Sequence, residues 1–68
     1  MEQLIENLLQ TEARWMTINE IMFDLVLLDE EYNKVYFFLN NTESELATKI
    51  SKDEETIPNR YMYIGYTN

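Results

Sequence analysis

The 68-residue sequence contains no cysteine and no histidine, and it has one glycine and one proline. Without cysteine there can be no disulfide framework, thiolate nucleophile or cysteine-based zinc site. Without histidine the chain lacks the commonest metal ligand and the commonest general base near neutral pH. These absences exclude most of the chemistry of small enzymes. We therefore expect a protein that is not an enzyme and has no catalytic residue, cofactor or metal site.

Basic residues are also scarce, because 5 Lys and Arg stand against 13 Asp and Glu, for a formal net charge of -8. Such a chain repels nucleic acid and anionic lipid surfaces, since both are polyanions. The longest near-continuous apolar stretch, residues 21–28, is far shorter than the roughly 20 residues of a membrane span. The acidic N-terminal segment differs from the basic start of a secretory signal. We expect a cytoplasmic protein that binds neither nucleic acid nor membranes directly, and whose electrostatic partner is basic.

The chain nevertheless carries enough apolar residues to fold, since 46% are hydrophobic and there are one Trp, five Tyr and three Phe. No linker, repeat or low-complexity tract divides it, so residues 1–68 are predicted to form a single domain. A chain this short buries only about 60% of the surface that it exposes when unfolded. Disulfides are excluded and metal ligands are few, so oligomerisation is the remaining source of extra stability. We predict a homodimer.

Three segments have a clear local pattern. Apolar residues at i, i+1, i+4 and i+5 predict an amphipathic helix over residues 2–13. Thr42 and Glu45 have capping-box spacing and predict a short second helix over residues 43–52. Alternating apolar side chains predict a final strand over residues 60–67.

The middle of the chain fits two templates. As a helix, residues 16–28 begin with a capping box of Thr17 and Glu20. As a strand, the same residues need a bulge near Asn19 and Glu20, so that the apolar side chains before and after it stay on one face of the sheet. We prefer the strand, because residues 34–39 are rich in aromatic and β-branched side chains and residues 29–33 resemble the polar turn of a hairpin.

The predicted fold is therefore α+β, a small two-layer domain in which two short helices cover a three-stranded antiparallel sheet, in the order α-β-β-α-β. Two short helices cannot cover both faces of such an apolar sheet. The surplus suggests a dimer formed through sheet edges or faces, and the alternative is a monomer in which these side chains pack under the helices. The surplus residues are Met22, Val26, Leu28, Tyr36, Phe38 and the tyrosines of the last strand, Tyr61, Tyr63 and Tyr66.

Paired carboxylates such as Glu20 with Asp24, or Glu43 with Glu45, resemble the two acids of glycosidases only in composition. A catalytic pair also needs a cleft, which 68 residues have little room to build, so solvated surface charge is the preferred interpretation. The acidic runs at residues 29–31 and 53–55 offer oxygen ligands, but neither has the spacing or the glycine of an EF-hand loop.

The acidic residues are grouped rather than evenly spread, with runs at residues 29–31 and 53–55 and a pair at Glu43 and Glu45. Carboxylates two residues apart on a strand, or four apart on a helix, are separated by about 6 Å. This approaches the spacing of neighbouring phosphates along a nucleic-acid strand. Two interpretations stay open: the acids imitate phosphates for a basic protein, or they only keep a small hydrophobic protein in solution.

The chain as a whole, with acidic runs at residues 29–31 and 53–55 around the aromatic segment 35–39, resembles the small acidic inhibitors that bacteriophages make early in infection. It is most similar to the DNA-mimic type that blocks the histone-like nucleoid protein HU, and less to inhibitors of uracil-DNA glycosylase, RNA polymerase or CRISPR nucleases. The resemblance lies in size and character, not in a motif. It implies a homodimer in the host cytoplasm whose acidic surface competes with DNA.

The preferred hypothesis is a non-enzymatic inhibitor whose carboxylates replace phosphates on a basic DNA-binding host protein. The alternative is a small structural or assembly subunit whose apolar surface packs on a larger partner while the charge serves only solubility. The residues predicted to contact the partner are Asp29, Glu30, Glu31, Tyr32, Glu43, Glu45, Asp53, Glu54 and Glu55.

Overall fold

The computed structural model describes residues 1–65, and it confirms an α+β domain with a three-stranded antiparallel sheet. Tyr66 and Thr67, predicted as part of the last strand, lie outside the described residues. Short 3₁₀-helical turns form at Asp29–Glu31 and at Leu46–Lys49. The described elements are α1 (Glu2–Glu12), β1 (Met16–Thr17), α2 (Ile18–Asp24), α3 (Tyr32–Asn40), β2 (Ile50–Asp53) and β3 (Arg60–Tyr63).

Helix α1 forms where the sequence predicts it. Its apolar stripe places Ile5 and Leu9 in the core, both fully buried. The helix ends at Glu12, and the next residue, Ala13, adopts a left-handed conformation with φ of 51°, with its N–H donating to the Leu9 carbonyl over 3.0 Å. Such a left-handed residue is a common way to satisfy a carbonyl at a helix C-terminus.

The strand predicted for residues 16–28 is wrong, because only Met16 and Thr17 are extended and α2 follows at once. The helical alternative is correct: the Glu20 N–H donates to Thr17 Oγ1 over 3.2 Å, and the Thr17 N–H donates to the Glu20 carboxylate over 3.0 Å. This capping box satisfies the free N–H groups at the start of the helix. The helix buries Ile18, Ile21 and Met22 on one face. No bulge forms at Asn19 and Glu20.

The strand predicted for residues 34–39 is also wrong, and no hairpin joins it to residues 16–28. Residues 32–40 form helix α3, which buries Val35 and Leu39 one turn apart. As a strand, this segment would present large apolar side chains on both faces, and the small domain cannot cover both. As a helix, it buries one stripe against α1 and α2, so tertiary packing overrides the β propensity of its aromatic residues.

The sheet is built mainly from the C-terminal part of the chain, with β3 in the centre and the strand order β1-β3-β2. β2 and β3 are antiparallel, with Ile50 opposite Tyr63 and Asp53 opposite Arg60. The predicted last strand is confirmed over Arg60–Tyr63. The second helix predicted for residues 43–52 is wrong, because it is reduced to the turn Leu46–Lys49 and the chain then enters β2.

The predicted capping box of Thr42 and Glu45 does not form, since the residue that precedes this turn is Glu45 and its side chain makes no capping hydrogen bond. Ser44 is buried beside it, with its hydroxyl 2.8 Å from the Phe38 carbonyl oxygen and 3.0 Å from Glu2 Oε2. The loop after α3 is therefore held by the start of α1 rather than by a helix cap of its own.

The core draws on every helix and strand except β2. It contains ten buried apolar residues, with Leu8, Leu25, Leu27, Phe38, Ile50 and Tyr63 packed partly buried against it. No helix within residues 1–65 is long and apolar enough to cross a membrane. The buried set is Ile5, Leu9, Met16, Ile18, Ile21, Met22, Val35, Leu39, Leu46 and Tyr61.

Candidate protein-binding surface

Two of the three groups of predicted partner-binding acids lie at the two ends of α3. Asp29–Glu31 form the turn that leads into the helix, and Tyr32 is its first residue. Glu43 and Glu45 lie in the loop after its last residue, where the Glu43 N–H donates to Asn41 Oδ1 over 2.8 Å. A nine-residue helix spans about 13 Å, so the two acidic groups are separated by the length of α3.

The third acidic run begins at the end of β2 and is tied to the same helix. Lys52 Nζ lies 3.1 Å from Glu54 Oε1 and 3.1 Å from Oδ1 of Asn40, the last residue of α3. The Asn40 side chain in turn donates to the Tyr61 hydroxyl over 2.9 Å. The hairpin of β2 and β3 therefore carries Glu54 to the C-terminal end of α3.

Three of the predicted acids are already neutralised within the molecule. Arg60 donates to Asp53 over 2.6 Å, and this hydrogen bond, with a second from the Glu55 N–H, holds the pKa of Asp53 below its ordinary value. Glu54 is paired with Lys52, and Glu31 lies 3.6 Å from Lys34 Nζ. An acid that is paired internally offers less charge to a partner, so these three contribute less than the sequence alone suggests.

The remaining cations are paired as well. Arg14 lies 3.2 Å from Glu12, 3.2 Å from Glu20 and 4.0 Å from Asp24. Hydrogen bonds from the Thr17 N–H and from Arg14 lower the pKa of Glu20. The hydrogen bonds that Arg14 donates to Glu20 and to Glu12 raise the pKa of Arg14 in turn.

Lys49 and Glu6 form a largely buried ion pair of 3.2 Å between α1 and the turn before β2. With this pair, all five Lys and Arg side chains lie in ion pairs formed within residues 1–65.

Five of the nine predicted contact residues are exposed acids that form no ion pair within residues 1–65. Every lysine and arginine already has a carboxylate partner, so these five carry most of the uncompensated negative charge. We call them the unpaired acids, and they are Asp29, Glu30, Glu43, Glu45 and Glu55.

Between the two acidic ends, α3 presents an exposed aromatic surface, of which the sequence predicted only Tyr32 as a contact residue. Tyr32, Tyr36 and Phe37, which we call the aromatic face of α3, are 42%, 50% and 43% exposed. The rings of Tyr32 and Tyr36 stack with centroids 6.5 Å apart and an angle of 24° between them. The same side of the helix carries Asn33 and Asn40, and it borders a groove of about 420 Å³ that Lys52 of β2 also lines.

A helical template would have revealed this face. Val35 and Leu39 are spaced by four residues and form the buried stripe, and Tyr32 and Tyr36 each precede one of them by three residues, so the tyrosines lie along the edge of that stripe. Phe37 lies two residues from both Val35 and Leu39, so once these two face the core, Phe37 must face outward while the tyrosines stay about half-exposed. The strand template instead distributed these residues over two sheet faces.

The apolar surplus predicted from the sequence is divided by the structure. Met22 and Tyr61 are buried, and Phe38 and Tyr63 are half-buried. Val26, Leu28 and Tyr36 are exposed, together with Phe23 at 83%. Tyr66 lies outside the described residues. The exposed part of the surplus therefore lies on α3 and on the segment that connects α2 to α3.

Within residues 1–65 no three acidic side chains are arranged to hold a metal ion. The surface combines exposed aromatic rings, amide side chains and unpaired carboxylates, which is a composition suited to contact with another protein. Comparison of the chain with models of known protein families, with curated proteins and with solved structures found no match.

Proposed function

We propose that this protein is a non-enzymatic inhibitor that binds a basic DNA-binding protein and blocks its DNA-binding surface, with a nucleoid protein of the HU type as the favoured target. The observation that carries the proposal is the juxtaposition on α3 of an exposed aromatic face with unpaired acids at both ends. The acids supply attraction to Lys and Arg, and the rings supply the anchoring contacts that dominate binding energy at interfaces.

The internal ion pairs support this division of roles. Because the five cations are held by their own carboxylates, Asp29, Glu30, Glu43, Glu45 and Glu55 remain available to a partner. Asp53 and Glu54 have smaller roles in this proposal than in the sequence hypothesis. Glu31 likewise becomes a minor contributor, while Tyr32 remains a proposed contact.

A second candidate function is a small assembly subunit that packs on a larger partner. The aromatic face of α3 favours it, because exposed aromatic rings suit an apolar interface. In that case the unpaired acids would only keep the protein soluble.

The homodimer also remains a prediction, and sedimentation equilibrium of the purified protein measures it directly.

The two functions differ in their dependence on salt and on the unpaired acids. The purified protein is immobilised and exposed to a bacterial lysate at about 0.1 M and about 1 M salt, between which the Debye length falls from about 10 to about 3 Å. The inhibitor captures basic DNA-binding proteins at low salt only, and duplex DNA releases them. The variant D29N/E30Q/E43Q/E45Q loses the capture, while E12Q, which removes an acid already paired with Arg14, retains it.

A partner that stays bound at about 1 M salt, resists competition by DNA and still binds the quadruple variant would contradict the inhibitor. That outcome would instead support the assembly subunit. Mass spectrometry of the captured proteins identifies the partner in either case.

A further inference from the structure

An open cleft of about 460 Å³ lies between α2 and the start of α3. Asn19, Met22 and Phe23 approach it from one helical face of α2, since they are spaced by three and four residues. Leu27 and Asp29 come from the connecting segment, and Tyr32 is the first residue of α3. We call this the α2–α3 cleft, and its lining is Asn19, Met22, Phe23, Leu27, Asp29 and Tyr32.

Two walls of the cleft are aromatic and accessible. Phe23 is 83% exposed, which leaves most of its ring open to a partner, and Tyr32, which is 42% exposed, stacks on Tyr36. The open face of an aromatic ring attracts a cation placed within about 6 Å of its centroid. The protein already makes one such contact, because the Arg60 guanidinium lies 5.7 Å from the centroid of Trp15.

The cleft is also negatively charged. Asp29 lines it and forms no ion pair within residues 1–65, and its exposed neighbour Glu30 forms none either. No lysine or arginine belongs to the lining, and each of the five basic side chains is held by an acid elsewhere. A cation that complements the aromatic walls and Asp29 must therefore come from another molecule.

We propose that the α2–α3 cleft binds an arginine side chain of a basic partner, with the guanidinium against the rings of Phe23 and Tyr32 and hydrogen-bonded to the Asp29 carboxylate. Arginine suits the site better than lysine, because its planar group stacks on aromatic rings and presents paired donors to a carboxylate. This inference rests on the proposed function, since it names the contact by which that basic partner is held.

The test uses three synthetic peptides that alternate glycine with arginine, lysine or citrulline, the last being a neutral analogue of arginine. Each is titrated into the ¹⁵N-labelled protein at about 0.1 M salt, and chemical shifts are followed by NMR. The arginine peptide shifts the resonances of Phe23, Asp29 and Tyr32, binds more tightly than the lysine peptide, and the citrulline peptide does not bind.

Variants separate the cleft from general attraction to a negative protein. F23A and Y32L each weaken the arginine peptide about two- to fivefold, the size expected for one exposed cation–π contact. D29N weakens it more than E43Q does, although each removes one unpaired acid. Circular dichroism of F23A matches the parent protein, because this side chain is almost wholly exposed.

The outcomes distinguish this inference from the proposed function. If F23A, Y32L and D29N bind the arginine peptide no more weakly than E43Q does, the cleft inference fails, while salt-sensitive capture of DNA-binding proteins can still stand. If no basic peptide shifts the cleft resonances but the lysate partner is captured, the cleft inference again fails alone. If the captured lysate partner stays bound at high salt and in the presence of DNA, the proposed function fails, whether or not the peptides bind the cleft.

Discussion

Helices α1 and α3 have similar inner faces and very different outer faces. Each buries a pair of aliphatic residues spaced by four, Ile5 with Leu9 and Val35 with Leu39. The outer face of α1 includes Gln3, whose side-chain amide donates to Asn7 over 2.9 Å, whereas α3 carries Phe37 opposite its buried stripe and the stacked tyrosines at the edge of that stripe. The inner faces serve folding, and the difference between the outer faces supports the proposal that α3 rather than α1 contacts a partner.

The largest effect should come from breaking the similarity of the two inner faces. L9A and L39A each remove a buried side chain and leave a cavity, so each should lower the free energy of unfolding by about 2–5 kcal/mol. L4A on the exposed side of α1 should change it by about 0.5 kcal/mol or less. Urea unfolding followed by circular dichroism measures all three.

A loss for L39A as small as that for L4A would show that α3 is not anchored in the core. The contrast between the inner and outer faces of α3 would then have no basis. L9A serves as the internal standard, because Leu9 is fully buried in the helix that the sequence already predicts.

The buried face of α1 could be predicted from the sequence, whereas the exposed aromatic face of α3 could not. The apolar stripe containing Ile5 and Leu9 fits the period of a helix and not that of a strand. The structure confirms the helix, α1, that this stripe predicts. Residues 18–24 fit both periods, and the capping box of Thr17 and Glu20 is the local signal that favours the helix. The β propensity of the next segment outweighs it in the sequence, although that propensity is a weak preference that packing readily overrides.

The candidate site, too, could be predicted from the sequence only in part. The acidic runs are visible in the sequence, and the unpaired acids Asp29 and Glu30 belong to one of them. The ion pairs of the other acids cannot be seen in the sequence. Arg60 meets Asp53 only when β2 and β3 pair, and Lys49 meets Glu6 across 43 residues. Which acids remain available therefore depends on long-range pairing that charge patterning cannot predict.

The outer faces can be tested directly by making α3 resemble α1. The double variant Y36Q/F37Q should weaken capture of the lysate partner by about 2 kcal/mol or more, as expected when interface anchors are lost. Its unfolding free energy should change less than that of L39A, since Tyr36 and Phe37 are about half-exposed whereas Leu39 is buried. The control Q3A/N7A on α1 should capture the partner as the parent protein does, in binding assays on immobilised protein.

Equal capture by Y36Q/F37Q and Q3A/N7A would remove the distinction between the two helices. It would also assign the interface to the unpaired acids alone. A loss of capture accompanied by unfolding would be detected in the same samples by circular dichroism, and the single variants Y36Q and F37Q would then replace the double variant.

The smallest effect concerns the charges at the helix ends and their response to acid. Glu20, at the α2 end that Arg14 links to α1, has its pKa lowered by the Thr17 N–H and by Arg14. A lowered pKa in the folded state means that the stabilisation is present above the ordinary glutamate pKa of about 4.3, and that it is lost as the pH falls through the folded value. We therefore expect E20Q to lower stability near neutral pH and to reduce the further loss on acidification. Urea midpoints of E20Q and the parent protein, measured from neutral pH to below about pH 4, provide the comparison, and an acid response that E20Q leaves unchanged would show that the cap and ion pair of Glu20 do not stabilise the folded protein.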